Sequence, residues 1–287
     1  LRSEAGLQGP GGREAAGLTG SSRPGLGSGT RLSHPVRVSA PADRNERIDQ
    51  RLARRGGAVE LLRPFSALYA GLARLRARGY ERGWLARGRV DVPVVSVGNL
   101  SAGGTGKTPC VAFLAREFER DGLRVGLLSR GYGAPADSPE RENDEARWFA
   151  RELPALERVQ DPDRLAGAAR LVERGVDVIL LDDGFQHRRL ARDLDLVLVD
   201  ATRPWGLPAA PDGGGYVRAC FPRGFLREPP TGLARADALV LTRVDQVEPA
   251  TRAALAAELA GFAPGRPILA GVHRPRALRA PDGTALA

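Results

Sequence analysis

Residues 93–109 read PVVSVGNLSAGGTGKTP, and the rest of the chain can be interpreted outward from them. Residues 94–97 are a short β-branched run, which is typical of a strand buried on both faces. Gly103, Gly104 and Gly106 let the backbone fold tightly enough for successive N–H groups to point at one centre. The positive end of the following helix adds to that field, so the stretch predicts a phosphate-binding site.

Lysine and threonine complete this loop. In the pattern G-x-x-x-x-G-K-[ST], the lysine reaches the β- and γ-phosphates of a nucleotide and the next hydroxyl binds Mg²⁺. Lys107 is the only lysine in the chain, the other 42 basic residues being arginine. The thin stem of lysine suits a loop that wraps phosphate. The expected phosphate-binding residues are Ser101, Ala102, Gly103, Gly104, Thr105, Gly106, Lys107 and Thr108. The alternative is an ordinary glycine turn.

Composition limits the class of protein. A chain of 287 residues forms one large domain or two small ones. Cys110 and Cys220 give neither a disulfide framework nor metal-ligand spacing, which is typical of an intracellular protein. The net charge of +9 favours an anionic partner, namely nucleic acid, a membrane surface or an acidic substrate. With only 5% aromatic residues, we expect no nucleic-acid partner, and no obligate protein partner is evident.

The chain divides into four segments. Residues 1–57 are rich in Gly, Ser, Pro, Ala and Arg, which predicts a disordered extension. Residues 58–90 hold a basic amphipathic helix, which either lies in a membrane interface or packs on the core. Residues 91–265 form the nucleotide-binding core, and 266–287 a hinge and the start of another domain.

A second apolar strand ends in two carboxylates. Residues 176–181 read VDVILL and lead directly into Asp182 and Asp183. A carboxylate at a strand tip beside a phosphate loop positions Mg²⁺, directly or through water. The alternative is helix capping by aspartate. Gln186 and His187 follow, where polar groups suit a polar substrate.

Strands and helices alternate along the core. The predicted strands are 94–97, 124–128, 176–181, 194–200 and 238–242. This order predicts an α/β fold with a P-loop NTPase-like, doubly wound, mainly parallel sheet and right-handed crossovers. The Gly/Pro-rich loop 202–231 is interpreted as a substrate lid or a flexible insertion.

Four motifs together resemble those of the tetraacyldisaccharide 4'-kinase family, in the family's order and spacing. They are SVGNLSAGGTGKTP, LLSRGYG, LLDDGFQHRRLARD and FPRGFLREP, and the resemblance covers about 58–287. It implies transfer of the γ-phosphate of ATP to the 4'-hydroxyl of a tetraacylated glucosamine disaccharide 1-phosphate, which gives lipid IVA in lipid A biosynthesis. It also implies action at the cytoplasmic face of the bacterial inner membrane, with the basic helix on the anionic membrane surface.

The resemblance also implies site residues. The catalytic residues would be Asp144, Lys107, Asp182 and Asp183. The Mg²⁺ ligands would be Thr108, Asp182 and Asp183. The residues that bind the lipid-linked disaccharide would be Arg130, Arg164, Gln186, His187 and Arg227.

The sequence departs from the family pattern at three places. Asn143 and Ala146 replace a glycine and a proline beside Asp144, and residues 204–207 replace the family's FGNG segment. The histidine of the family's DH motif has no counterpart, since His273 lies in a hinge-like stretch. We therefore expect a C-terminally truncated kinase with weak or absent turnover. The alternatives are a non-catalytic ATP-binding remnant and a P-loop ATPase switch, a class that normally has a second lysine in the loop.

Overall fold

The computed structural model describes residues 44–131, 144–274, 278–279 and 285–286. The strands are β1 Val94–Asn99, β2 Val125–Ser129, β3 Glu157–Gln160, β4 Val178–Asp182, β5 Leu194–Asp200, β6 Ala238–Thr242, β7 Ile268–Ala270, β8 Leu278–Arg279 and β9 Ala285–Leu286. The helices are α1 Arg44–Ala53, α2 Arg63–Glu81, α3 Lys107–Arg120, α4 Asp144–Glu152, α5 Arg164–Glu173 and α6 Pro249–Phe262. Strands β8 and β9 pair with each other in antiparallel orientation.

The first seven strands form one sheet in the order β3-β2-β4-β1-β5-β6-β7. Every neighbouring pair in it is parallel. Strand β1 is central and all six of its residues are buried, as its β-branched composition predicts. Val97 lies opposite Asp182, and Asn99 lies opposite Leu198. The carboxyl ends of β1 and β4 therefore meet at one edge of the sheet.

Alternate residues of the strands supply two separate apolar layers. On one face, Val95 and Val97 pack in a cluster with Val111 of α3 and Phe149 of α4. On the other face, residues such as Leu181 pack with α5. A further cluster on β5 and β6 packs with α6. Because full burial of one aliphatic side chain stabilises a fold by about 1.5–3 kcal/mol, both layers contribute. Helices on both faces confirm the doubly wound α/β prediction.

Three elements differ from the sequence prediction. Helix α1 occupies part of the segment predicted to be disordered, so that prediction is wrong over Arg44–Ala53, while residues 1–43 lie outside the described part of the chain. Strand β3 was not predicted because its ERVQ sequence is polar and it pairs only with β2. Strand β7 lies within the predicted hinge and adds to the edge of the main sheet through β6.

The predicted amphipathic helix is present as a 3-10 turn, Ala58–Leu62, followed by α2. Ser66, Ala70 and Gly79 of α2 are buried. Its large apolar side chains instead face outward, Phe65 and Leu68 being 62% and 63% exposed. Only a narrow stripe of small residues on this helix therefore packs on the core. Across the described ranges, every helix is too short or too polar to cross a bilayer.

The long loop after β5 is packed into the protein rather than standing away from it. Trp205, Leu207, Arg223 and Leu226 are fully buried or nearly so. The alternative of a flexible insertion therefore does not describe these parts of 202–231.

We predict opposite stability effects for alanine at two glycines. A Cβ on Gly98 would lie 2.6 Å from Cβ of Phe185, so Gly98→Ala must displace the segment after β4. We expect it to lower the free energy of unfolding by about 1–3 kcal/mol. Gly71 lies on α2 with open space around it, so Gly71→Ala should raise that free energy by about 0.5–1 kcal/mol. Urea denaturation measures both, and equal midpoints for Gly98→Ala and the wild type would contradict the close packing.

Candidate active site

The phosphate loop connects β1 to α3 at the carboxyl edge of the sheet. Gly103 has φ 121° and Gly106 has φ 87°, in the region that glycine adopts without a steric penalty. Helix α3 begins at Lys107, directly after Gly106. The positive end of this helix therefore faces the loop, as the sequence predicts.

Asn99 fixes the phosphate loop through hydrogen bonds of its side chain. The sequence analysis did not assign this residue a role. Its side chain is completely buried. Its Nδ2 donates to the carbonyl of Ser101 at 2.7 Å, and its Oδ1 accepts from Nζ of Lys107 at 3.3 Å. The sequence signal for this role was the position of Asn99 as the last residue of the strand before the loop.

Lys107, Asp183 and Arg227 form a charged group beside the loop. Nζ of Lys107 lies 3.5 Å from Oδ1 of Asp183. Nη1 of Arg227 donates to both carboxylate oxygens, at 2.8 and 2.7 Å. Burial alone would raise the pKa of Asp183, but the charge of Lys107 and the bonds from Arg227 outweigh it and lower that pKa. Asp183 is therefore a carboxylate at neutral pH.

Asp183 also has an uncommon backbone conformation. Its φ is 52°, in the left-handed region that aspartate tolerates better than most residues. It directly follows β4, which ends at Asp182 opposite Val97. Within 183–193 no helix begins, so helix capping does not explain this aspartate pair.

The predicted Mg²⁺ ligands have the right chemistry. Thr108 lies in the first turn of α3, and Asp182 and Asp183 lie at the neighbouring strand end. Hydroxyl and carboxylate oxygens suit Mg²⁺, which usually takes one or two protein carboxylates together with substrate phosphates and water. In the described ranges, no three His, Cys, Asp or Glu residues cluster as a metal site.

A cleft of about 830 Å³ opens beside this charged group. Five predicted substrate residues line it: Arg130, Arg164, Gln186, His187 and Arg227. Residues that sequence reasoning did not assign also line it, including Tyr69, Leu72, Arg76, Arg188, Glu228 and Arg235. Three of these belong to α2. The outward-facing amphipathic helix thus forms one side of the cleft.

Arg164 makes one part of the cleft attractive to anions, whereas His187 in the same cleft is uncharged. Arg164 is 3% exposed, its Nη1 donates to the carbonyl of Asp161 at 2.8 Å, and its Nε has no hydrogen-bond acceptor among the described residues. Burial and the charge of Arg130 lower the pKa of Arg164. Burial and the charge of Arg164 lower the pKa of His187 to about 4. The imidazole is therefore neutral at pH 7.

Gln186 is held by other protein groups. Its Nε2 donates to the carbonyl of Asn99 and to Oε1 of Glu228, both at 2.9 Å. Oε2 of Glu228 in turn accepts from Nη1 of Arg235 at 2.6 Å. This network fixes one side of the cleft, and Glu228 could have been suspected because it follows Arg227 in the FPRGFLREP motif.

The predicted catalytic Asp144 is the first residue of α4, but its side chain lies outside the described part of the chain. Its role therefore stays a prediction.

The opposite side of the phosphate loop is fixed by β6. Oγ1 of Thr242 donates to the carbonyl of Thr105 at 2.9 Å, and Nη2 of Arg243 donates to that of Gly104 at 3.0 Å. Arg243 also pairs with Asp200 at the end of β5. Sequence reasoning missed these contacts, although polar residues directly after an apolar strand were a signal.

A parallel sheet whose central strand leads into a glycine-rich loop and its lysine, beside a strand ending in aspartates, defines the P-loop NTPase-like class. The model of the family "Tetraacyldisaccharide-1-P 4'-kinase" matches residues 58–282. The chain therefore belongs to that family.

Similar proteins have the same description. The tetraacyldisaccharide 4'-kinase of Alkalilimnicola ehrlichii is 46% identical over 189 residues, which cover 62% of this chain and 54% of that protein. The one of Syntrophus aciditrophicus is 40% identical over 244 residues, which cover 78% and 63%. The chain thus spans only about half to two thirds of the length of these curated relatives.

A solved structure is also similar. The crystal structure of the "apo" form of LpxK from Aquifex aeolicus in complex with ATP matches with a TM-score of 0.57 and 34% identity. The match covers 75% of this chain and 64% of that one. It supports the P-loop NTPase-like fold independently of the sequence motifs.

We predict a pH effect on stability from His187. Its folded-state pKa of about 4 lies below the ordinary value of 6.5, so protons bind the unfolded state first as the pH falls. The free energy of unfolding should therefore decrease between about pH 6.5 and 4. His187→Gln, which cannot titrate, should show a smaller decrease. Urea unfolding at several pH values measures this, and identical pH dependence in both proteins would contradict it.

Proposed function

We propose that this protein is an ATP-dependent kinase that phosphorylates the 4'-hydroxyl of a tetraacylated glucosamine disaccharide 1-phosphate, giving lipid IVA in lipid A biosynthesis. One observation carries the proposal. The group of Lys107, Asp183 and Arg227 lies between the phosphate loop and the arginine-lined cleft. A phosphoryl donor in the loop and an acceptor in the cleft would meet at this group. ATP in the similar Aquifex structure supports ATP as the donor.

Electrostatics would supply most of the catalysis. Phosphoryl transfer places developing charge on the oxygens of the transferred group, and preorganised cations stabilise that charge. Lys107 is positioned for this by Asn99 and Asp183. Arg227 adds a second cation at the same carboxylate.

Magnesium is the second proposed cofactor. Thr108, Asp182 and Asp183 would hold Mg²⁺, which when bound neutralises charge on the nucleotide phosphates. This assignment rests on their oxygen chemistry and their positions in the first turn of α3 and at the end of β4.

Proton removal from the attacking hydroxyl is assigned to Asp144. A carboxylate can accept this proton late, as the attack on phosphorus proceeds. The assignment rests on the family resemblance alone.

The acceptor would be bound by the cleft. Arg164 and Arg130 would contact an anionic group of the disaccharide phosphate, since both arginines line the cleft. Neutral His187 can exchange hydrogen bonds with sugar hydroxyls. Gln186 lines the same space, although its amide nitrogen is already bonded within the protein.

Helix α2 would bring the cleft to the lipid. Its exposed apolar residues can enter the membrane interface, while its arginines lie near anionic headgroups. Because α2 also lines the cleft, the disaccharide can reach the site while its acyl chains stay in the bilayer. We propose that this occurs at the cytoplasmic face of the bacterial inner membrane.

We predict weak but measurable transfer of label from γ-labelled ATP to a tetraacyldisaccharide 1-phosphate in mixed micelles, in line with the low turnover expected from the sequence. Lys107→Ala should reduce the rate by about 10²–10³-fold, because it removes a preorganised cation at the transferred group. Arg151→Ala, at the exposed end of α4, is the control and should retain the wild-type rate. Equal rates for Lys107→Ala and the wild type would contradict the proposal. ATP binding that depends on Lys107 without transfer would instead indicate a nucleotide-binding protein without kinase activity.

We predict that α2 binds anionic vesicles. The double variant Leu68→Glu/Leu75→Glu should bind phosphatidylglycerol vesicles at least about tenfold more weakly, since each leucine contributes about 1.5–3 kcal/mol when buried. Leu123→Glu changes an exposed leucine after α3 and should bind like the wild type. Co-sedimentation measures the difference. Equal losses in both variants, or none in either, would count against α2 as the membrane contact.

A further inference from the structure

Arg223 is an arginine that the proposed chemistry does not use, yet it is completely buried. A buried guanidinium is costly unless its charge and its N–H groups find partners. Here Nε and Nη2 donate to Oε1 of Glu60, at 3.2 and 2.8 Å. Nη1 donates to the carbonyl of Leu52 at 2.5 Å, and Nη2 to that of Arg54 at 2.8 Å. The planar fork of arginine matches these acceptors.

These acceptors belong to the amino-terminal helices. Leu52 and Arg54 lie at the end of α1, where helix carbonyls lack intrahelical partners. Glu60 lies in the turn before α2, and hydrogen bonds from Arg63 and then Arg223 lower its pKa to about 2. A third tie comes from α2 itself, because Oγ of Ser66 accepts from the backbone N–H of Arg223 at 2.9 Å. Arg223 therefore fixes its loop to both helices.

The same loop is bonded to the phosphate loop. The backbone N–H of Ala102 donates to the carbonyl of Phe225 at 2.8 Å, and that of Arg227 donates to the carbonyl of Leu100 at 2.9 Å. Ser101 and Leu226 are thereby paired as an antiparallel bridge. A shift of this loop would shift the first residues of the phosphate loop and the backbone of Arg227 together.

We propose that Arg223 is a positioning residue for the nucleotide site. By fixing residues 223–227 to α1 and α2, it sets the start of the phosphate loop and the approach of Arg227 to Asp183. This inference rests on the proposed binding of ATP to the phosphate loop. Its structural part, the coupling between Arg223 and the loop amides, is independent of turnover.

Arg223 differs from the residues that only pack the loop. Trp205 and Leu226 bury the loop in an apolar cluster to which Arg223 does not belong. Lysine can reach fewer of the four acceptor contacts than the guanidinium fork does. Arg223→Lys keeps the charge, and we expect it to keep the fold and loosen the loop.

The experiment compares ATP affinity and amide exchange in the full chain. Arg223→Lys and Arg223→Ala should weaken Mg²⁺–ATP binding by about tenfold or more, measured by calorimetry where each variant is folded. Methylguanidinium should restore part of the affinity of Arg223→Ala and leave that of Arg223→Lys unchanged. Hydrogen exchange at the amides of Ala102 and Arg227 should be faster in both variants without nucleotide.

The control is Leu171→Ala, which removes a fully buried side chain from a different apolar cluster. At matched stability it should keep wild-type ATP affinity and wild-type exchange at the two amides. Wild-type affinity and exchange in folded Arg223→Lys would overturn the proposal, even if Arg223→Ala does not fold. A wild type that binds no ATP would refute the proposed function, whereas exchange at the two amides would still decide the role of Arg223.

Discussion

A lysine held inside a glycine-rich loop needs a fixed counter-charge. The arrangement of this site depends on the ion pair that supplies it. The Lys107 side chain is 17% exposed, so bulk water offers it little compensation. Asp183 supplies the charge, Asn99 supplies an oxygen, and Arg227 adds a second cation at the same carboxylate. The three groups come from two strand ends and one distant loop, which are brought together by parallel strand pairing and by the bridge to residues 225–227.

Much of the fold follows from local sequence signals. The apolar runs of β1, β4, β5 and β6 predict buried parallel strands because side chains on both faces must be apolar. Strands β3 and β7 lack this signal, since each has one neighbour and a short or polar sequence. Helix α1 could not be recognised either. The contacts that fix it are long-range, namely Asp49 to Arg203 and Arg223 to the carbonyls at its end.

The parts of the site that are formed by residues adjacent in sequence could be predicted. Lys107 and the aspartates after β4 belong to contiguous motifs, and the structure brings Lys107 and Asp183 together. Asn99 and Glu228 had only weak sequence signals, namely their positions next to recognised motif residues. Their hydrogen-bond partners are set by the fold, such as the bond between Gln186 and Glu228. Sequence alone left open whether the apolar residues of α2 pack on the core, and the structure shows that its large apolar side chains are exposed.

The single lysine gives this protein an unusual chemical property. Among residues 1–287 the only side-chain primary amine is that of Lys107 in the phosphate loop, and arginine does not react with most acylating reagents. An amine-selective reagent therefore labels the phosphate loop at Lys107 without any mutagenesis. The extent of modification of the peptide that contains Lys107, read as a mass increment, reports whether the loop is accessible or occupied. A footprint of this kind needs no radiolabel, no lipid acceptor and no turnover.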